Sequence, residues 1–142
     1  MKPTELFASQ VVKAAPAKVF EAWTTPVLLR QWWGPPPYSC PVAEIDLRVG
    51  GAYRLANQGP DGDTIWITGV FTRVEAPSAL SYTWKLSTWD TEASLLHVAF
   101  LPHPAGTEVR IHHERFHDAA ARNEHALGWQ GCLDKLQALL EA

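Results

Sequence analysis

The sequence lacks the cysteine patterns that would assign a zinc site or a redox centre. Its two cysteines, Cys40 and Cys132, are far apart and form no CxxC pair, whereas such sites need closely spaced cysteines. A disulfide between them is not expected, because disulfides are mainly found in secreted chains and no secretion signal is visible. Cys132 is interpreted instead as a small hydrophobic residue on a buried helix face.

Concentrated positive charge and long apolar runs are missing as well. The net charge is -3 and the lysines and arginines are scattered, whereas binding to a phosphate backbone needs clustered positive charge. Nucleic acid is therefore not an expected partner. No apolar run approaches the ~18 residues that cross a bilayer, so no membrane partner is expected. Residues 1–5 lack the apolar region of a secretory signal, and the expected location is cytoplasmic.

Catalytic and metal-binding motifs are also absent. The sequence contains no GxSxG, GxGxxG, P-loop or HExxH pattern, so serine hydrolase, nucleotide-binding and zinc protease functions have no support. His112 and His113 suggest a metal site, but neighbouring residues of a regular strand face opposite ways and cannot both ligate one ion. We expect no metal and no cofactor, and we assign Asp118 to a helix N-cap.

What the sequence does have is a surplus of aromatic residues in an ordinary globular composition. Seven tryptophans occur in 142 residues, with 46% hydrophobic and 19% charged residues overall. Domains of about 100 to 150 residues typically have one core, so we expect a single domain over residues 1–142. Its interior should carry much large, flat apolar surface.

The last quarter of the chain, residues 118–142, predicts one long amphipathic helix. Steps of three and four place apolar residues on one stripe, which consists of His125, Trp129, Cys132, Leu133, Leu136 and Leu140. A helix with such a face must be buried against another element. The preceding hundred residues supply that element, because they alternate like strands and are broken by turn residues.

The preceding residues predict one strand, two short helices and about six further strands. Residues 6–13 alternate loosely, and Pro16 and Pro26 each suit a first helical position, with Thr25 as a cap of the second helix. From Val42 onward the period is two. Strands followed by a helix, without βαβ alternation, indicate an α+β fold with an antiparallel sheet packed on the helix.

Several segments together resemble one known family. They are Pro16 to Pro26, Gln31 to Pro35, Asp46 to Gly51, Gly69 to Phe71, Leu80 to Trp84, Gly106-Thr107 and Gly128-Trp129. In this order they are similar to bacterial Aha1-like (activator of Hsp90 ATPase homologue 1-like) proteins of the START-like or Bet v 1-like (SRPBCC) superfamily. The resemblance implies a helix-grip fold, a curved antiparallel sheet wrapped around a C-terminal helix and enclosing a hydrophobic cavity.

Aromatic and aliphatic side chains on the predicted inner faces would then converge on the helix. They are Trp33, Tyr53, Leu55, Ile67, Phe71, Tyr82, Trp84, Val98, Phe100, Ile111, His113 and Trp129. Ligand pockets are mostly apolar with a few orienting polar groups. The leading hypothesis is non-catalytic binding of a small hydrophobic, aromatic or lipid-like molecule; the alternative is that these residues fill the space as a packed core.

The sequence is also compatible with other functions. A cyclase, dehydratase or hydrolase could use His113 or His125 as proton carrier, although a core histidine satisfied by hydrogen bonds explains His113 equally well. The family resemblance also suggests an Hsp90 co-chaperone-like interaction module. Trp66 or Trp89, if exposed, could serve a homodimer interface, although single exposed aromatics are common.

Overall fold

The structure is a computed structural model that describes residues 4–142. Its elements follow the expected order, with one strand, two short helices, six strands and a long helix. They are β1 Leu6–Val12, α1 Pro16–Thr24, α2 Pro26–Trp32, β2 Ala43–Ile45, β3 Ala52–Gln58, β4 Thr64–Glu75, β5 Ala79–Leu86, β6 Ser94–His103, β7 Gly106–Glu114 and α3 Ala119–Leu140. No helix among these residues is long and apolar enough to cross a membrane.

The seven strands form one antiparallel sheet in the order β1-β7-β6-β5-β4-β3-β2. Strands that follow one another are joined by hairpins, and only β1 leaves this succession, pairing with β7 at one edge. With α3 packed on it, this arrangement confirms the α+β helix-grip fold. The two proline-started helices lie between β1 and β2 in the chain, and α2 contacts α3.

The backbones of β4 and β5 approach each other closely at Gly69. A Cβ on Gly69 would lie 1.9 Å from the Thr83 carbonyl oxygen, so only glycine fits there. The Thr83 side chain accepts a hydrogen bond of 2.9 Å from Val70 N, and the register shifts between Phe71 and Arg73. Bulges of this kind bend a strand and increase its twist.

Alternation along the strands sends every second side chain into the core. Leu96, Val98 and Phe100 are buried on β6, and Val109 and Ile111 on β7. The stripe of α3 meets them with four buried members, Trp129, Cys132, Leu133 and Leu136. The described residues leave no buried side-chain nitrogen or oxygen without a hydrogen-bond partner.

The helix termini confirm one predicted cap and correct another. Asp118 Oδ1 accepts a hydrogen bond of 2.8 Å from Ala121 N at the start of α3, as expected. Thr25 occupies the N-cap position of α2, but its side chain makes no cap hydrogen bond. The reason is that Thr25 also ends α1, since its N–H donates to Glu21 O while its carbonyl accepts from Leu28 and Leu29. Its backbone, not its hydroxyl, joins the two helices.

Candidate functional site

The centre of the space between sheet and helices is filled by its own side chains. The void there measures about 20 Å³, which is room for about one water molecule. Aromatic rings fill this part of the core, and the Trp23 indole N–H donates a 3.0 Å hydrogen bond to Tyr82 Oη. Tyr53 Oη in turn donates to the Thr83 carbonyl at 2.6 Å. This region is a packed core, not a chamber.

A larger opening lies to one side, between the first half of α3 and the ends of β3, β4 and β5. We call it the groove; it has a volume of about 390 Å³ and is partly open to solvent. Pockets for small molecules measure roughly 300–1,000 Å³, so the groove is large enough for a compact ligand. Its lining consists of Trp33, Pro35, Tyr38, Asn57, Ile65, Ile67, Trp84, Leu86, Glu124, His125, Gly128, Trp129 and Cys132.

Three tryptophans form the inner wall of the groove. Trp33 packs edge-on against Trp84 and Trp129, with ring centroids 5.4 Å and 5.1 Å apart. Trp33 directly follows α2, Trp84 lies on β5 and Trp129 on α3, so three separate elements position the wall. Each indole is at most 4% exposed. The inner wall of the groove is therefore rigid and apolar.

Each of the three indole N–H groups donates to a named acceptor. Trp33 Nε1 donates to Asn57 Oδ1 at 2.7 Å. Trp84 Nε1 donates to His125 Nε2 and Trp129 Nε1 to His113 Nδ1, both at 3.1 Å. Buried indoles usually need such partners. The hydrogen bonds fix the orientation of the rings, which pre-forms the wall before any ligand arrives.

His125 lies at the groove as a neutral imidazole. Its Nδ1 is 2.8 Å from the Ala121 carbonyl oxygen, which can only accept, so Nδ1 carries the proton and Nε2 accepts from Trp84. Burial lowers the pKa of His125, only partly offset by that carbonyl bond. At neutral pH the side chain is therefore uncharged and both of its nitrogens are engaged.

His113 is a core histidine with both nitrogens satisfied. It is fully buried; Nδ1 accepts from Trp129, and Nε2 lies 2.8 Å from Ser94 Oγ. The Ser94 hydroxyl donates to the Trp84 carbonyl at 2.9 Å, so Nε2–H must be the donor of the other bond. Burial lowers the pKa of His113 well below its usual 6.5, and the neighbouring His125 adds to the shift.

The charge of the groove comes from one residue. Among its thirteen lining residues, Glu124 is the single carboxylate, and none is a lysine or an arginine. Burial raises the pKa of Cys132 to about 12, and His125 is neutral. Lys135, which is near Cys132, donates to the Gly34 carbonyl at 3.0 Å and is not part of the lining. A ligand in the groove would meet an apolar wall and a negative rim.

The structure places the predicted pocket residues in three groups. Trp33, Ile67, Trp84 and Trp129 line the groove. Tyr53, Leu55, Phe71 and Tyr82 surround the small central void, together with Trp33 and Trp84. Val98, Phe100, Ile111 and His113 lie in the buried interior and line neither space. All twelve point inward, but only four of them meet the larger opening.

Several lining residues were not among those predicted. Asn57 and Ile65 lie at the strand ends beside the β3–β4 hairpin, while Glu124 and Gly128 lie on α3 one turn apart. The spacing of Glu124, His125 and Gly128 places them on adjacent parts of one helix surface. That spacing could have been used to predict Glu124 and Gly128 as lining residues. Pro35 and Tyr38 follow α2 in a loop whose position no periodicity predicts.

The fold and the site can be compared with known proteins. A family model described as "Activator of Hsp90 ATPase homolog 1-like protein" matches residues 13–141. The chain belongs to this family. The family model therefore confirms the resemblance to Aha1-like proteins that the sequence motifs indicated. No curated protein matches the sequence.

Solved structures of similar proteins share the whole fold of this Aha1-like chain. Protein CV1439 from Chromobacterium violaceum is 28% identical with a TM-score of 0.90, and the match covers 99% of both chains. The AHSA1-like protein from Aeromonas hydrophila is 27% identical with a TM-score of 0.82, covering 96% of this chain and 92% of that one. The AHSA1 protein from Silicibacter pomeroyi, at 24% identity and a TM-score of 0.86 over 96% and 97% of the two chains, shows the fold alone.

Proposed function

We propose that the protein binds a small aromatic molecule, neutral or positively charged, in the groove without catalysing a reaction on it. The observation that carries this proposal is a partly open volume of about 390 Å³ with a tryptophan wall. Apolar walls of this kind take up the ring system of a ligand, and a few polar groups orient it. Tyr38, Asn57 and Glu124 at the rim supply such groups.

The charge preference follows from Glu124. A carboxylate ligand would bring a second negative charge to a groove whose lining offers no cation. Like charges repel, and although solvent weakens the repulsion at the exposed Glu124, fatty acids and aromatic acids are poor candidates. An amine would instead be attracted by the same carboxylate.

Catalysis has less support than binding. In both His113 and His125, one ring nitrogen accepts a hydrogen bond from a tryptophan and the other donates one. Neither imidazole therefore offers a free lone pair to a substrate. General base chemistry would first require breaking a tryptophan hydrogen bond. A connection with Hsp90 rests on the family description, and we expect no stimulation when the protein is added to an Hsp90 ATPase assay.

A matched set of three ligands tests the proposal. We suggest isothermal titration with 2-(2-naphthyl)ethylamine, 2-(2-naphthyl)ethanol and 2-naphthylacetate, which share one ring system and differ in charge. We expect the amine and the alcohol to bind, and the carboxylate to bind at least about tenfold more weakly, which corresponds to 1.4 kcal/mol. Equal binding of all three would refute the charge preference.

A large side chain placed in the groove provides a second test of the proposal. A Cβ on Gly128 would find Pro35 Cγ at 3.6 Å, an ordinary contact, and no closer atom. Gly128→Phe should therefore fill the groove without disturbing the helix and abolish binding of the amine. Leu127→Ala, at a neighbouring side chain that is 79% exposed, is the control and should bind like the unaltered protein. Undiminished binding to Gly128→Phe would place the ligand elsewhere.

A further inference from the structure

A second cluster of chemically capable side chains lies on the outer face of the sheet. His97 on β6 and His112 on β7 are direct cross-strand partners, and their rings lie 5.5 Å apart and nearly parallel, at 27°. Both residues alternate with core residues, so they face away from α3 and the groove. The two imidazoles come from rigid, paired strands and not from loops.

Carboxylates complete the cluster. Glu114, two residues after His112 and therefore on the same face of β7, places Oε2 at 2.6 Å from His97 Nε2. One ligand atom from each of His97, His112 and Glu114 lies within 4.8 Å of the other two. Glu5, immediately before β1, adds a second carboxylate, with Oε2 at 3.0 Å from His112 Nε2.

The two rings are held from behind. His97 Nδ1 lies 2.8 Å from the hydroxyl oxygen of Ser81, a buried residue on β5. Phe7 stacks on His112 with centroids 4.4 Å apart and planes 3° from parallel. Outer partners that fix the ring orientation of a histidine, leaving the other nitrogen for an ion, are a regular feature of metal sites. Here the contact with Ser81 leaves His97 Nε2 directed at Glu114.

We propose that His97, His112 and Glu114 form a binding site for a divalent transition-metal ion, with Zn²⁺ as the preferred ion. Two imidazoles and one carboxylate match the ligands that zinc takes in proteins, whereas Mg²⁺ and Ca²⁺ prefer all-oxygen sites. The ion would replace the His97–Glu114 hydrogen bond and draw the three ligand atoms together. Glu5 or a water molecule would supply the fourth position of a tetrahedron.

This site is separate from the groove and from the function proposed for it. The sequence suggested a metal site at His112 and His113, which the opposite directions of the two side chains exclude. The structure instead pairs His112 with His97, a residue fifteen positions earlier in the chain. The competing explanation is that the cluster forms only two histidine–carboxylate ion pairs on the surface.

Isothermal titration of the tag-free protein with Zn²⁺ at neutral pH, after treatment with EDTA and dialysis, separates the two explanations. We expect a single ion to bind per chain with micromolar or tighter affinity, while Mg²⁺ gives no heat. In parallel, the ring resonances of His97 and His112 should shift together in the NMR spectrum. Failure to bind Zn²⁺, or shifts confined to other histidines, would leave only the ion pairs.

Variants of two of the three proposed ligands locate the ion. His97→Gln and Glu114→Gln should each weaken Zn²⁺ binding by about 10–100-fold or more. Circular dichroism should confirm that both variants are folded. His103→Gln is the control, because it removes an exposed imidazole at the end of the same strand and should leave the affinity unchanged. If the control weakens binding as much as His97→Gln, or if neither ligand variant does, the assignment is wrong.

Discussion

His112 and His113 are neighbours on β7, yet the sheet sends them to opposite faces and into opposite surroundings. His113 is fully buried, and its hydrogen bonds to Trp129 and Ser94 hold it neutral. His112 is partly exposed and meets a carboxylate of Glu5. The inner face uses an imidazole as a fixed acceptor for an indole, whereas the outer face keeps it next to negative charge, where it can exchange partners.

The two faces also differ in how their tryptophans are held. Trp129 on the inner side is 2% exposed and donates to a buried histidine. Trp66 on the outer side is partly exposed and lies under the Arg54 guanidinium, 4.7 Å from the ring centroid. The inner face thus owes its shape to complete hydrogen bonding and packing, whereas Trp66 on the outer face packs against a half-exposed arginine side chain.

The largest expected effect is at Trp129. Trp129→Phe removes the indole N–H, leaves His113 Nδ1 buried without a donor, and opens a void. We expect the free energy of unfolding to fall by about 3 kcal/mol, combining the costs of an unsatisfied buried acceptor and a cavity. Trp66→Phe, the matched change on the outer face, should cost less than about 1 kcal/mol. Urea unfolding measures both; equal losses would erase the distinction between the faces.

The pH dependence of stability tests the buried histidine. Burial lowers the pKa of His113 in the folded protein, so below pH 6.5 the unfolded chain binds a proton that the folded chain does not. Stability must then fall as the pH falls, by about 1 kcal/mol from this residue between pH 6.5 and about pH 5.5. In EDTA, His113→Gln should lower stability at neutral pH but flatten this slope. An unchanged slope in the variant would contradict a buried neutral His113.

A smaller and opposite effect is expected at Gly128 on the groove side of α3. Glycine inside a helix costs roughly 0.5–1 kcal/mol relative to alanine, and the added methyl group has an ordinary contact with Pro35. Gly128→Ala should therefore raise the free energy of unfolding by that amount, measured by thermal or urea unfolding. Destabilisation would show that the groove wall has no room at this point.

The smallest effect belongs to the ion pairs of the outer face. Arg110 donates to Glu108 at 3.0 Å, and its side chain is 60% exposed. Exposed pairs contribute little to stability, so Arg110→Ala should leave the free energy of unfolding nearly unchanged at physiological salt. A loss as large as that of Trp129→Phe would mean that surface charge stabilises this sheet as much as its packing does.

The fold could be predicted because its signals are local. The stripe on α3, the prolines at Pro16 and Pro26, and the alternation of Leu96, Val98 and Phe100 each follow from the period of one element. The same alternation correctly sent Tyr53, Trp84 and their neighbours inward. Thr25 misled because a residue that ends one helix and begins the next has competing roles, which a cap preference does not reveal.

The open space could not be predicted in the same way. Whether Tyr82 meets a cavity or fills one depends on how the volumes of side chains from distant elements add up, which no single periodicity contains. The pairing of His97 with His112 likewise depends on the register between two strands. Glu124, by contrast, lies next to His125 on α3, and the helical period could have predicted its position at the rim.

The indole N–H region of the NMR spectrum tests the central claim most directly. On titration with 2-(2-naphthyl)ethylamine, the resonances of Trp33, Trp84 and Trp129 should move together and saturate. The resonance of Trp66, on the outer face, should stay in place. Saturable movement of Trp66 alone, or no movement of the three groove tryptophans at a concentration that saturates calorimetric binding, would show that the groove is not the ligand site.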